Sequence, residues 1–122
     1  MLVTRKLCMT KDVGCNGNLF GGNMLSAIDE AAAIFAHLYT GEKSMVTVKF
    51  SELVFKKPVK VGEIIEFECE LIEMGRTSIK FKIEAKRRWG CAKMTTDSEV
   101  VCSTECVFVA IDENGHSKEI GK

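Results

Sequence analysis

The sequence predicts an α+β fold in which one long helix is wrapped by an antiparallel β-sheet. Three observations predict it. Met24, Ile28, Ala31, Phe35 and Leu38 recur at spacings of four, three, four and three, which is one apolar stripe of an α-helix. From residue 46 onward the period becomes two, in several segments separated by turn residues. One helix cannot cover both faces of a sheet that size, so the sheet should wrap around it and offer an outer or edge surface to a second copy.

The elements follow in order. A short strand precedes a glycine-rich loop. The helix should run from about residue 22 to about residue 39 and stop at Gly41, a natural C-terminal cap. Its second face holds Ser26, Asp29, Ala32, Ala33 and Ala36, all small but for the one charged group, Asp29. Val46, Val48 and Phe50 then alternate, and the parity slips to Leu53 and Phe55, which predicts a bulge near Ser51-Glu52. Phe67, Cys69 and Leu71 alternate with Glu66, Glu68 and Glu70, and Ile79, Phe81, Ile83 and Ala85 with Lys80, Lys82, Glu84 and Lys86. A turn around Glu73-Met74-Gly75-Arg76 makes these a hairpin. One register sets Glu70 against Lys80 and Glu68 against Lys82, a solvated charged surface. Residues 100–111 are apolar on both faces, as expected of a central strand or one at a subunit contact.

Composition narrows the function. The 122 residues are expected to form a single domain, 1–122, that buries roughly two-thirds of its extended-chain surface without disulfides. Seventeen Lys and Arg balance seventeen Asp and Glu, so no basic footprint for nucleic acid is expected. No apolar run approaches the roughly 18 residues of a membrane span, and the first residues lack the apolar core of a signal peptide. The expected location is the cytoplasm, with no nucleic-acid or membrane partner. Cys8, Cys15, Cys69, Cys91, Cys102 and Cys106 form no C-x-x-C pair, so they read as reduced, mostly packed thiols and not as a metal site. Cys15 alone lies in a loop, where it is a weak candidate nucleophile.

The chemistry concentrates in Asn16-Gly17-Asn18-Leu19-Phe20-Gly21-Gly22 and the helix that follows it. Paired glycines at a helix start allow close approach to the backbone. The first turn offers amide hydrogens not yet claimed by a carbonyl, a setting that suits an oxygen gaining negative charge. Asp29 lies two turns on.

In these residues the chain resembles hotdog-fold acyl-CoA thioesterases of the cytosolic acyl-CoA hydrolase type. The run from Gly17 through Phe20-Gly21-Gly22 to Asp29 resembles the family's G-x-x-F-G-G approach to its catalytic aspartate. Phe55-Lys56-Lys57-Pro58-Val59-Lys60-Val61-Gly62-Glu63 resembles F-x-(K/R)-P-(I/V)-x-x-G-(D/E), Gly75-Arg76-Thr77-Ser78 resembles G-R-(T/S)-S, and residues 107–115 resemble the closing strand. The four motifs in order cover almost the whole chain. The resemblance implies hydrolysis of acyl-CoA to free acid and CoA, without metal or cofactor, at sites on a homodimer interface, with assembly as a trimer of dimers. It implies Asp29 as the catalytic carboxylate, Gly22 and Asn16 beside it, and Gly21, Lys57, Arg76, Thr77 and Ser78 as substrate contacts.

One position departs from the pattern. The family writes its loop Asp-x-Asn-x-x-Gly, with the asparagine a catalytic partner; here Gly14 stands in that place. Asn16 either orients water or substrate instead, or shapes the turn. The alternative expectation, favoured by Gly14, is a non-hydrolytic acyl-CoA-binding or regulatory protein of the same fold.

Overall fold

The structure is a computed structural model that describes residues 1–88 and 98–121. Strand β1 is Leu2–Leu7, and a 3₁₀ turn at Thr10–Asp12 leads into the loop. Helix α1 is Gly21–Thr40, followed by β2 (Met45–Phe50), β3 (Val54–Phe55), β4 (Ile64–Met74), β5 (Ser78–Arg88) and β6 (Glu99–Ala110). One antiparallel sheet has the order β1-β4-β5-β6-β2, with β3 also pairing β6. This is the α+β hotdog arrangement. Strand β6 is central as expected, and the β2 edge is open.

The helix ends where the sequence places its stop, with Gly41 in the left-handed region at φ 73° and its amide closing on the His37 carbonyl. Its buried residues are Met24, Ile28, Ala31, Ala32, Phe35 and Ala36. Leu38 does not join the stripe: it is 64% exposed. The predicted small face also divides. Ala32 and Ala36 pack into the core, while Ser26 and Asp29 stay exposed. The core joins helix to sheet through three phenyl rings. Phe35 meets Phe81 with centroids 4.7 Å apart, and Phe81 meets Phe108 at 5.7 Å. Burying each such ring contributes about 1.5–3 kcal/mol.

Two register details differ from the expectation. Lys82 faces Glu70, Lys80 faces Glu73 and Glu84 faces Glu68, so the predicted pairs Glu70–Lys80 and Glu68–Lys82 are displaced by two residues. The cause is the turn, which closes further along the chain than expected, with the Gly75 amide donating to the Ser78 carbonyl at 2.8 Å; a bulge between Leu71 and Glu73 takes back one residue of the offset. Glu68 instead ion-pairs with Lys86. Nor are all the β4 glutamates solvated. Glu66 is 4% exposed and accepts from Arg5 Nε at 2.7 Å and from Arg88 Nε. Burial alone would raise its pKa, but the two guanidiniums overcome this and hold it below the ordinary carboxylate range. The slip near Ser51-Glu52 is present: Phe50 faces Cys106 and Val54 faces Ser103, four steps against three. A second slip lies between Thr47 and Lys49.

Candidate functional site

The loop before the helix is a miniature hairpin. Val13 bridges Leu19, the Gly14 amide donates to the Asn18 carbonyl at 2.9 Å, and the Gly17 amide donates to the Gly14 carbonyl at 3.0 Å. Gly17 closes the turn at φ 80°, a conformation glycine adopts without strain. Buried Asp12 pins the base of this hairpin. Its carboxylate accepts from the Met9 amide at 2.9 Å and pairs with Lys6 Nζ at 3.3 Å. The Met9 amide, followed by Lys6, outweighs desolvation and holds the Asp12 carboxyl below its ordinary range. The Asp12 carbonyl accepts from the Phe20 amide and from Asn23 Nδ2, fixing where the helix begins.

Phe20 is the N-cap and makes no side-chain capping bond. The amides of Gly21 and Gly22 are first-turn donors with no partner among the described residues. Two half-exposed rings flank them. A Cβ built at Gly22 would lie 3.2 Å from the Phe20 ring, and one at Gly21 would lie 3.8 Å from Phe55. Beside them opens a groove of about 310 Å³ with Leu19, Met24 and Val59 in its floor and Asn16, Asn18 and Lys57 on its walls.

Asn16 keeps its place at this groove, but its Oδ1 accepts from the Asn18 amide at 3.1 Å, so its oxygen is engaged in the turn and its carboxamide nitrogen is the group left to face a ligand. Gly14 has space for a side chain. A Cβ there would meet Phe20 at 3.7 Å and Asn16 at 3.8 Å, ordinary contact distances. Lys57 Nζ lies 3.6 Å from Glu99, which also accepts from Arg87 Nη2 at 2.9 Å.

Asp29 is exposed, and Thr47 Oγ1 donates to its Oδ1 at 2.9 Å. Thr47 was not among the residues read from the sequence. The one available signal is that it is the sole hydroxyl in the Met45–Phe50 strand. Asp29 lies seven residues beyond Gly22, about 10 Å along the helix axis. A single thioester carbonyl therefore does not meet the Gly22 amide and the Asp29 carboxylate of the same chain.

Arg76, Thr77 and Ser78 sit at the other end of the sheet. The Thr77 carbonyl accepts from the Ala110 amide at 3.0 Å, the Arg76 carbonyl accepts from the Ile120 amide at 2.9 Å, and Ser78 faces Val109. Phe55, next to Lys57, faces Cys102. Seven residues of β6 separate Cys102 from Val109, about 23 Å. The structure thus gathers Asn16, Gly21, Gly22 and Lys57 at one end, sets Asp29 midway, and puts Arg76, Thr77 and Ser78 at the far end.

Four of the cysteines are packed into the core. Cys8, Cys69, Cys102 and Cys106 are buried, and desolvation pushes the thiols of Cys69 and Cys106 up to about 12 and that of Cys102 to about 11. Cys15 is exposed, but His37 is engaged at the far end of the helix, its Nδ1 donating to the Glu42 carbonyl at 2.7 Å. Cys91 lies outside the described residues. Among the described residues, no group of three or more His, Cys, Asp or Glu side chains could hold a metal ion, and no helix is long and apolar enough to cross a membrane.

A paired-glycine helix start, an exposed acid two turns on and a single helix against an antiparallel sheet define a class. The chain belongs to the thioesterase superfamily, whose family description matches residues 16–89. Among its relatives is an acyl-CoA thioester hydrolase of Haemophilus influenzae, described as uncharacterized. It is 36% identical over 98% of this chain and 77% of its own length. A crystal structure of a mutant of a hexameric broad-specificity acyl-coenzyme A thioesterase superposes with a TM-score of 0.92 at 31% identity, covering 100% of this chain and 87% of that one. A hexameric hotdog-fold thioesterase of Campylobacter jejuni superposes at 0.86 with 31% identity, covering 98% and 90%.

Proposed function

We propose that this chain is an acyl-CoA thioester hydrolase whose active site forms between two copies. The carrying observation is the separation of its parts. Gly22 and Asp29 are too far apart on one helix to act on one carbonyl, and Lys57 and Arg76 occupy opposite ends of one sheet. Antiparallel pairing of two β2 edges resolves both separations. It extends the sheet, brings the Lys57 end of one copy against the Arg76 end of the other, and runs the two helices in opposite directions, amide end toward acid. Val46 and Val48, 41% and 61% exposed on that edge, supply apolar surface for such a contact.

In this reading the thioester carbonyl lies against the Gly21 and Gly22 amides of one copy. As water adds, the carbonyl oxygen gains negative charge, and each amide donor aimed at it is worth roughly 2.7–4 kcal/mol. Asp29 of the other copy takes the proton of the attacking water, or attacks the carbonyl itself. Thr47 holds one carboxylate oxygen, leaving the other for that task. CoA leaves as thiol and the acid is released, so the reaction consumes only acyl-CoA and water and uses no metal or cofactor. Lys57 from one copy, with Arg76, Thr77 and Ser78 from the other, meets the nucleotide and pantetheine. Asn16 stands in for the asparagine that Gly14 lacks, through its carboxamide nitrogen. Pairs of this kind assemble further as trimers of dimers, and the protein works in the cytoplasm.

Gly14 keeps a second reading in play, a protein that binds acyl-CoA without hydrolysing it. Release of free thiol from a panel of acyl-CoAs separates the two. Turnover that disappears in Asp29→Ala supports the hydrolase, whereas saturable binding without turnover on any acyl chain refutes it.

A further inference from the structure

We propose that Arg87 is a positioning residue for hydrolysis, fixing the Phe55–Lys60 segment against the loop that leads to the Gly21 and Gly22 amides; this rests on the hydrolase reading above. Arg87 closes β5 and is only 8% exposed. Burying a guanidinium is unfavourable unless its donors are satisfied, and the sheet alone would accept an apolar residue at that position. Here two of its contacts fall on one segment, residues 58–63, and another on β6. Nη1 donates to the Pro58 carbonyl at 2.7 Å and Nη2 to Glu99 at 2.9 Å, while Nε makes no hydrogen bond among the described residues and ion-pairs with Glu63 at 3.7 Å. Glu63 in turn accepts from the Lys60 amide at 2.6 Å. One side chain therefore grips both ends of residues 58–63.

The grip passes directly to the site. The Val59 carbonyl accepts from the Leu19 amide at 2.7 Å, and Asn18 bridges Lys60. Leu19 immediately precedes the N-cap Phe20. Phe55, at the head of the same segment, places its ring 3.8 Å from the position of a Gly21 Cβ. Proline has no amide with which to join β6, so the Pro58 carbonyl is its only backbone anchor, and Arg87 is what holds it. A displacement of this wall moves the amides that receive the developing charge, which lowers kcat on every thioester, long or short.

The test compares Arg87→Lys and Arg87→Met with the parent protein in its native assembly. The substrates are butyryl-CoA and S-butyryl-N-acetylcysteamine, which lacks the nucleotide. In Arg87→Met, kcat should fall about tenfold or more on both substrates with KM held within about twofold, since sub-ångström misplacement acts on the reacting geometry. Arg87→Lys, which keeps charge but not the fork, should fall between the two. Hydrogen exchange at the Leu19 amide should quicken in both variants. Parent-like kcat in assembled variants overturns the proposal, as does a loss confined to KM for butyryl-CoA, which would mean that Arg87 acts only through Glu99 and Lys57 on the nucleotide. If Arg87→Met fails to assemble, Arg87→Lys decides by the same criteria. If the parent turns over neither thioester, the hydrolase reading fails and Leu19 exchange decides alone: unchanged exchange in Arg87→Lys overturns the positioning role.

Discussion

At the Gly21 end of the helix, two amides stand without partners among the described residues, beside a groove; at the Gly41 end, the loose groups are taken up internally. There the Gly41 amide closes on His37, His37 donates to the Glu42 carbonyl, and the Glu42 carboxylate accepts from Lys118 Nζ and the Gly121 amide, each at 2.7 Å. A larger cavity, about 710 Å³, lies at this closed end, between Thr40, Lys43, Ser44, Asp112 and Lys118. Its acids serve the fold: Glu42 clamps the tail, and Asp112 Oδ1 caps the turn amides of Asn114 and His116. Size is therefore a poor guide here. The smaller groove carries the unengaged donors, and donors left open at a helix start are what a thioester needs. The contrast also explains why one chain is not enough, since Asp12 at the open end is buried in bonds to Met9 and Lys6 and the exposed acid, Asp29, lies midway along the helix.

Removing the acid should have the largest effect. Asp29→Ala should lower kcat about 10²–10⁴-fold, the range of general-base help, with KM little changed in steady-state thiol release. Filling the vacant loop position should act in the opposite direction. Gly14→Asn fits the space beside Phe20, and kcat should rise roughly tenfold, a fraction of what one aimed donor contributes. Such a rise means that Asn16 replaces the missing asparagine only in part; an unchanged rate would mean that it replaces it in full. Thr47→Val keeps shape and removes the bond to Asp29; kcat should fall about fivefold, close to 1 kcal/mol for one exposed hydrogen bond.

Acid should loosen both ends last. Asp12 at the open end and Glu42 at the closed end both have folded pKa values below their ordinary 3.8 and 4.5, through the Met9 amide and Lys118 respectively. A lowered folded value contributes stability that is present above the ordinary pKa and is lost as pH falls through the folded one. The amide resonances of Met9 and Gly121 should therefore hold their positions down to those ordinary values and shift only below them. A shift already complete at pH 5 would contradict the assigned partners.

The sequence made the scaffold readable where pattern is local. Helical spacing and the Gly41 cap set α1 within a residue or so, and two apolar faces marked β6 as central. It failed where tertiary contact decides. The turn closes at Gly75 and Ser78, which moved the hairpin register without disturbing the alternation of either strand. Glu66 looked like a wet-face charge because Arg5 and Arg88 come from two different strands. The candidate residues Asn16, Gly21, Gly22 and Asp29 could be picked out because they cluster in sequence. Thr47 was not, since its link to Asp29 spans eighteen residues and depends on β2 lying beside the helix. Arg87 was hidden for the same reason, with Pro58 twenty-nine residues away.

The central claim, a site shared between copies, is tested most directly by mixing two inactive variants. Asp29→Ala removes the acid and keeps the amides; Gly21→Pro removes an amide at the first helical position, where proline is tolerated and a Cβ has ordinary room beside Phe55, and keeps the acid. Each alone should be inactive. After dissociation and reassembly together, turnover should return to about a quarter of the parent value, because half of the pairs are mixed and one of the two sites in each is whole. A mixture as inactive as its components, with mixed assemblies demonstrated by mass, would contradict the shared site.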